Sequence, residues 1–264
     1  MSEPILTERR DSTLWLTINR PESHNALNRA MTSQLVDGFR SAAADDTIRA
    51  VVLTAAGDRT FCAGADLKDR GTDSGFATSG AENPLVQVYR AMRACHKPIV
   101  GRINGAALGG GLGLVSACDL ALAADHARFG TPEVKVGLFP MMITTYLVRQ
   151  LPRRRYWEMA FLGEPLNAGE AERYHLINRA VPAAELDRHV ADVLARLEAN
   201  SPNALRAGKQ ALDLMQDMSI DQTLAYAELV IERLASSDEA REGMAAFAEK
   251  RKPHWATGVE SRHG

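Results

Sequence analysis

The stretch that decides the fold is NGAALGGGLGLVSACDLALAAD, from Asn104 to Asp125. Three consecutive glycines, Gly109 to Gly111, lie between apolar residues, and Gly113 follows after one further residue. Glycine loses more backbone entropy on folding than any other residue, and it adds no side chain to a core. The run therefore predicts that something approaches this backbone closely, either a ligand or another segment of the chain.

Length, composition and charge are those of an ordinary globular protein. The 264 residues suit one large domain, or a main domain with a smaller appendage. A formal net charge of -2 gives no support for nucleic acid or a membrane surface as partner. No apolar run reaches membrane-spanning length, and the N-terminus does not resemble a signal peptide. Cys62, Cys95 and Cys118 lack metal-like spacing, so we expect reduced thiols, no metal site and a cytoplasmic location.

Strand and helix signals alternate in the first half of the chain. Leu14, Leu16 and Ile18 fall on one face of a predicted strand, and RAVVLTA (49–55) has the continuous apolar character of a buried parallel strand. Further strands are predicted in KPIVGRING (97–105) and DLALAAD (119–125), with helices after Asn28, a predicted N-cap, and around Tyr89. This alternation predicts an α/β fold with parallel strands.

Helical patterns dominate the sequence from Thr144 onward, with few strand signals between them. Pro182 and Pro202 are predicted to mark boundaries between these helices, and Asp221 and Asp238 are predicted as N-caps. We therefore expect a helical C-terminal third that packs on the core or on another subunit.

Several common binding and catalytic motifs are absent from the sequence. Gly109 and Gly111 begin the dinucleotide pattern GxGxxG, but Leu114 stands where its last glycine is required. The sequence also lacks a Walker A GK[ST], a GxSxG nucleophile elbow and the HExxH zinc pattern. Dinucleotide, P-loop and serine-hydrolase chemistry are thereby disfavoured.

A pair of small-residue turns remains, each following a predicted strand. TFCAGADL (60–67) follows RAVVLTA, and NGAALGGGLGL (104–114) follows PIVGRI. Ligands of α/β proteins usually bind at such strand ends. One backbone N–H from each turn, together with a helix beginning near Gly109, suits the stabilisation of a developing oxyanion. Two tight turns packed for space alone remain an equal alternative at this point.

Ordered motifs along nearly the whole chain resemble the crotonase, or enoyl-CoA hydratase/isomerase, superfamily. The resemblance implies a spiral of ββα units in residues 1–195 and a helical trimerisation region in residues 196–264. It further implies an acyl-CoA thioester ligand, no cofactor apart from the coenzyme A of the substrate, and a homotrimer or dimer of trimers. The motifs are NRPESHNAL, FCAGADL, INGAALGGGLGL, ACDLALAADHARFGTPEVKVGLFP, EAERYHLINRAVP and EGMAAFAEKRKPHW.

The resemblance also implies roles for individual residues. The oxyanion hole falls on the backbone N–H groups of Ala65 and Gly110, and the catalytic carboxylate is Glu133. Phe247 and Lys250 correspond to the C-terminal end that a neighbouring subunit contributes to coenzyme A. The remaining acyl-CoA-binding positions are Asn25, Ala26, Leu27, Ala63, Asp66, Leu67, Gly109, Gly113 and Met141.

The sequence departs from the two-glutamate hydratases of this superfamily at one catalytic position. Their first glutamate lies three residues after the oxyanion glycine, where this chain has Gly113, whereas the second is present as Glu133. We expect burial to raise the pKa of Glu133 and so suit it to alternate between acid and base. Met141 occupies the position of the aspartate nucleophile of the dehalogenase branch, which disfavours that chemistry.

Three functions therefore remain open. The first is an enoyl-CoA hydratase that works with Glu133 alone. The second is a Δ3-Δ2-enoyl-CoA isomerase, which needs only one proton carrier. The third is an acyl-CoA-binding protein without catalysis.

Overall fold

The structure is a computed structural model that describes residues 3–66 and 82–256. These residues form two compact units, one of residues 3–66, 82–95 and 99–190, and the other of residues 96–98 and 191–256. The predicted division into a core of residues 1–195 and a trimerisation region of residues 196–264 stays a prediction.

The first unit contains two β-sheets. The larger has the strand order β1-β2-β3-β5-β7-β10, in which only the β1–β2 pair is antiparallel, and the smaller has the order β4-β6-β8-β9. The strands are β1 Ile5–Arg10, β2 Thr13–Ile18, β3 Ala50–Ala55, β4 Thr60–Cys62, β5 Ile99–Ile103, β6 Ala106–Leu108, β7 Leu120–Ala124, β8 Arg128–Gly130, β9 Leu166–Asn167 and β10 Arg179–Val181.

The chain passes repeatedly from the larger sheet to the smaller one. β3 and β4, β5 and β6, and β7 and β8 each place the first strand in the larger sheet and the second in the smaller sheet. The result is a spiral of paired strands in which β4, β6 and β8 lie side by side and parallel. The segments after these short strands are thereby brought to one edge of the smaller sheet.

The described residues include ten α-helices. The predicted cap at Asn28 is confirmed, since its side chain accepts a hydrogen bond from the N–H of Met31 at 2.9 Å. The helices are α1 Arg29–Ala44, α2 Pro84–Ala94, α3 Gly110–Ser116, α4 Met141–Gln150, α5 Arg153–Leu162, α6 Ala168–Arg173, α7 Leu186–Glu198, α8 Pro202–Met215, α9 Ile220–Ala235 and α10 Asp238–Ala248.

Two of the predicted caps are wrong by one or two residues. Ser219 caps α9 and Ser237 caps α10, because each serine side chain accepts a hydrogen bond from an N–H in the first turn. Asp221 and Asp238 lie inside those first turns, where a carboxylate stabilises the positive end of the helix dipole instead.

The core lies around β3, whose six residues are all buried, as its apolar sequence predicted. The alternation in β2 is also confirmed, with Leu14, Leu16 and Ile18 buried. Helices α1 and α2 pack against each other, and α3 packs against α4.

Another segment of the chain approaches the glycine run closely. A Cβ on Gly111 would lie 2.2 Å from the carbonyl oxygen of Cys62 and 2.7 Å from its Cβ. The end of β4 therefore occupies the space that a side chain at position 111 needs, and the close approach predicted from the sequence includes one by the protein itself.

We expect Gly111→Ala to lower the free energy of unfolding by about 3 kcal/mol, because a rigid backbone carbonyl has to move. Gly208→Ala is the matched control, since it also lies in a helix but has no atom within 4 Å of the added Cβ. That substitution is expected to stabilise by about 0.5–1 kcal/mol. Urea unfolding followed by circular dichroism measures both, and equal effects would contradict this account of the glycine run.

Candidate active site

The two strand-end turns touch through their backbones. A Cβ on Gly64 would lie 3.2 Å from the nitrogen of Gly110 and 2.9 Å from the carbonyl oxygen of Leu108. Gly64 also has φ +88°, a conformation that side chains disfavour. Glycine at position 64 is therefore required both by the close approach and by the backbone angle.

Two N–H groups are left unused where these turns meet. Among the described residues, neither the N–H of Ala65 nor that of Gly110 has a backbone acceptor. Leu27 fixes the first turn instead, by donating to the carbonyl of Gly64 at 2.7 Å and accepting from the N–H of Asp66 at 2.9 Å. Gly110 begins α3, as predicted, so its N–H is one that no residue of the helix pairs with. The pair has the chemistry of an oxyanion hole.

Glu133 lies beside the second turn, on a short 3-10 helix (Pro132–Val136). The pairing of β6 with β8, and the hydrogen bond from the N–H of Gly109 to the carbonyl of Gly130 at 2.9 Å, bring this segment alongside Gly109. A Cβ on Gly109, whose φ is +51°, would lie 2.9 Å from Oε1 of Glu133. The carboxylate thus lies beside the residue that precedes Gly110, whose N–H is predicted to belong to the oxyanion hole.

The environment of the carboxylate is suited to proton transfer. Oε2 of Glu133 is buried and has no hydrogen-bond partner among the described residues. Burial raises the pKa of Glu133, as predicted, because a poorly solvated carboxylate favours its neutral form. A raised pKa brings a carboxyl group nearer to the pH at which it both accepts and donates protons readily.

A cavity of about 830 Å³ opens onto these groups. Apolar side chains, two cations and the carboxylates of Asp66, Glu82 and Glu133 all contribute to its wall. The apolar ones include Leu85, Leu138, Phe139, Met141, Met142 and Ile143, and the cations are Arg29 and Lys135. The volume and the mixed lining suit an elongated ligand with both an apolar and an anionic part.

In residues 3–66 and 82–256, no group of three or more His, Cys, Asp or Glu side chains is arranged to hold a metal ion. Within the same residues, every helix is too short or too polar to cross a membrane.

Comparisons with known proteins agree with this geometry. The family model for enoyl-CoA hydratase/isomerase matches residues 8–258. The chain belongs to the enoyl-CoA hydratase/isomerase family. The predicted α/β crotonase-type fold is therefore confirmed.

Individual family members are similar over nearly their whole length. The 2,3-dehydroadipyl-CoA hydratase of Escherichia coli (strain K12) is 34% identical over 254 residues, which cover 96% of this chain and 98% of that protein. The (E)-benzylidenesuccinyl-CoA hydratase of Thauera aromatica is 34% identical over 253 residues, covering 95% and 98%. The crystal structure of an enoyl-CoA hydratase from Mycobacterium smegmatis superposes with a TM-score of 0.90 at 32% identity, covering 96% of this chain and 99% of that one.

The structure brings together most of the positions that the family resemblance implies. Gly113 is not among the residues that line the cavity, and Phe247 and Lys250 belong to the second unit. Leu67 lies outside the described residues. Those that line the cavity are Leu27, Ala63, Ala65, Asp66, Gly109, Gly110, Glu133 and Met141.

Asn25 and Ala26 are placed differently from these residues. Asn25 is 1% exposed, and its amide donates to the carbonyls of Ala56 and Thr60 at 3.0 and 2.7 Å. Arg20 donates to the carbonyl of Ala26 at 2.7 Å and forms an ion pair with Asp66 at 3.1 Å. In this structure both residues shape the first turn, and neither lines the cavity.

Sequence reasoning did not find the cations and polar residues of the cavity wall. Arg29, Thr32 and Ser33 lie on α1, and Lys135 follows Glu133 by two residues. Arg29 immediately follows the predicted cap Asn28, at the exposed start of a helix. Only its place beside the NRPESHNAL motif was available as a signal.

The raised pKa of Glu133 has a consequence for stability. The folded state holds this proton more tightly than the unfolded chain, so the stability it contributes is complete below the ordinary pKa of a glutamate. That contribution is lost as the pH rises through the window between the ordinary and the raised value.

We expect Glu133→Gln to raise the melting temperature relative to wild type more at pH 8 than at pH 4. At pH 8 the substitution removes a buried negative charge, whereas at pH 4 the carboxyl group of Glu133 is already largely neutral. Differential scanning calorimetry across this range measures the difference. Glu164→Gln, at an exposed carboxylate paired with Lys135, is the control and should show no such trend. An effect of Glu133→Gln that is constant with pH would contradict the burial of its charge.

Proposed function

We propose that this protein is an enoyl-CoA hydratase that adds water to a 2-enoyl-CoA thioester, with Glu133 as its only catalytic carboxylate. The observation that supports this most directly is the placement of the buried, unpartnered Oε2 of Glu133 beside the two unused N–H groups of Ala65 and Gly110. Relatives at 32–34% identity are named as hydratases of acyl-CoA thioesters, which favours the same reaction class.

The oxyanion hole acts on the thioester carbonyl. When the oxygen of water bonds to C3, the electron pair of the double bond moves through C2 to the carbonyl oxygen. The N–H groups of Ala65 and Gly110 donate to that oxygen, and they stabilise the enolate more than the neutral carbonyl. A single donor of this kind is typically worth about 10²–10³ in rate.

Glu133 moves the one proton that the reaction requires. Its carboxylate takes a proton from the water as the C3–O bond forms, and the resulting carboxylic acid gives that proton to C2 as the carbonyl re-forms. The product is a 3-hydroxyacyl-CoA, and Glu133 returns to its carboxylate form. The same group first accepts the proton from water and then donates it to C2, and a raised pKa suits a carboxyl group to both steps.

We propose an acyl-CoA as the ligand, which the cavity wall favours, and no cofactor apart from the coenzyme A of the substrate. We assign the apolar lining near Met141 and Ile143 to the acyl chain, and the cations Arg29 and Lys135 to the phosphates of coenzyme A. Lys135 also pairs with the exposed Glu164, and such a pair is weak enough to exchange for a phosphate.

An isomerase that moves a double bond from C3 to C2 is the second candidate. The observation that favours it is Gly113, which leaves the site with one carboxylate. In that reaction Glu133 removes a proton from C2 and returns it to C4, while the same oxyanion hole stabilises the dienolate.

A paired assay tests the proposal, with a 2-enoyl-CoA and its 3-enoyl isomer supplied separately. We expect the conjugated thioester absorbance of the first to disappear as a 3-hydroxyacyl-CoA forms. Glu133→Gln should lower kcat by about 10³-fold, because the proton carrier is lost. Glu164→Gln should leave kcat within about twofold.

Other outcomes would contradict the hydratase proposal. Formation of the conjugated thioester from the 3-enoyl substrate, without hydrated product from either, would make the protein an isomerase. Tight binding of both thioesters without turnover would favour a non-catalytic acyl-CoA-binding protein.

We also propose that the chain assembles as a homotrimer or dimer of trimers. Helix α9 exposes Ile220, Leu224, Leu229 and Ile231, each by more than 60%, and Phe247 on α10 is 87% exposed. Apolar surface of this extent on helices indicates an interface. It would also place Phe247 and Lys250 where a neighbouring subunit can use them.

Light scattering should give a mass three or six times the 28.7 kDa of one chain. Charged substitutions at Leu224 and Ile231 together should shift that mass toward the monomer, because each buries a charge in the proposed interface. A wild-type protein that is monomeric at micromolar concentration would contradict the proposed assembly.

A further inference from the structure

A buried hydroxyl lies next to the site without a hydrogen-bond partner. Tyr89, on α2, is 6% exposed, and its hydroxyl has no partner among the described residues. A buried polar group without a hydrogen bond destabilises the folded state, so its position requires a reason. Packing alone would be served as well by phenylalanine.

The hydroxyl occupies the place where a side chain at position 113 would begin. A Cβ on Gly113 would lie 1.7 Å from the Tyr89 hydroxyl oxygen and 2.8 Å from Cζ. Gly113 lies one helical turn after the oxyanion-hole residue Gly110 on α3. The tyrosine hydroxyl thus lies where the Cβ atom would be if position 113 carried the glutamate of the two-glutamate hydratases.

Its surroundings connect this hydroxyl to the reaction cavity. The Cγ2 atom of Ile143, a residue that lines the cavity, lies 2.4 Å from the same Cβ position on Gly113. The hydroxyl therefore lies directly behind Ile143 and is not itself part of the cavity lining, so a water has to pass Ile143 to reach it. The ring packs edge-on against Tyr146 of α4, with centroids 5.4 Å apart and planes at 76°, which limits its movement.

The hydroxyl stays protonated under all working conditions. Burial raises the pKa of Tyr89 well above that of an ordinary tyrosine, and the neighbouring Tyr146, Cys62 and Glu133 raise it further. Burial likewise raises the pKa of the Cys62 thiol to about 12, so that neighbour is neutral too. Tyr89 is then a neutral hydrogen-bonding group that lies within the electrostatic influence of Glu133.

We propose that the Tyr89 hydroxyl binds the water that adds to C3, as the partner of Glu133 in place of the absent first glutamate. This inference rests on the hydratase activity proposed above. The two buried polar atoms without protein partners, the Tyr89 hydroxyl and Oε2 of Glu133, are the two groups that the water would join.

Each hydrogen of that water has a defined role. One O–H donates to Glu133, which removes its proton as the oxygen bonds to C3. The other O–H donates to the Tyr89 hydroxyl oxygen and remains on the product as the 3-hydroxyl group. Tyr89 neither gains nor loses a proton, so it orients the nucleophile without serving as acid or base.

Tyr89→Phe tests this with a minimal change, because it removes only the hydroxyl and keeps the ring that packs on Tyr146. We expect kcat for hydration to fall by about 10²-fold, with KM within about twofold, because an oriented water is lost while thioester binding is kept. Tyr174→Phe is the matched control. The Tyr174 ring packs under Arg155, and neither residue lines the cavity or is among the nearest neighbours of Gly113, so the kinetics of this variant should match those of wild type.

A second readout separates a role in water binding from a structural role. Exchange of the C2 protons of a saturated acyl-CoA with D₂O, followed by NMR, requires Glu133 and the oxyanion hole but no water at C3. We expect this exchange to stay within about threefold of wild type in Tyr89→Phe. Gly113→Ala should reproduce the selective loss of hydration, because its Cβ displaces the hydroxyl.

Three results would overturn the inference. Hydration at the wild-type rate by Tyr89→Phe would remove Tyr89 from the reaction while leaving the hydratase proposal intact. Parallel loss of hydration and proton exchange would assign Tyr89 a structural role only. A wild-type protein that hydrates no 2-enoyl-CoA would overturn both proposals, and the assay of the unmodified enzyme shows this before any variant is made.

Discussion

The contact between two backbones, at Gly64 and Gly110, is the constraint on which the site depends. The segments after β4 and β6 have to meet closely enough that a Cβ on Gly64 would stand 3.2 Å from the nitrogen of Gly110. This contact brings the turn that carries the N–H of Ala65 against the turn that carries the N–H of Gly110. The parallel pairing of β4 with β6 fixes the contact, and Leu27 holds the first turn against it through two backbone hydrogen bonds.

The position of Glu133 is fixed by the same small sheet. The pairing of β6 with β8 continues the small sheet by one strand and delivers the 3-10 helix with Glu133 to the side of Gly109. Its burial raises the pKa, and this has a cost in stability that a neutral side chain would not incur. The fold thus places a poorly solvated carboxyl group beside Gly109, next to the turns whose N–H groups at Ala65 and Gly110 have no backbone acceptor among the described residues.

Sequence patterns predicted four of the six strands of the larger sheet, and they missed β1 and β10. β2, β3, β5 and β7 show alternation or continuous apolar character, whereas the strands of the smaller sheet have two or three residues each, too few for any period to appear. Family resemblance, not periodicity, gave Ala65, Gly110 and Glu133 their roles. Tyr89 could not be found in this way, because its spacing on α2 is that of an ordinary core residue, and only the structure shows that its hydroxyl meets Gly113.

The fit between Tyr89 and Gly113 couples these two positions. A Cβ at position 113 would lie 1.7 Å from the Tyr89 hydroxyl oxygen, so any residue larger than glycine there requires Tyr89 to move or to be replaced. The effects of substitutions at the two positions are therefore not expected to add.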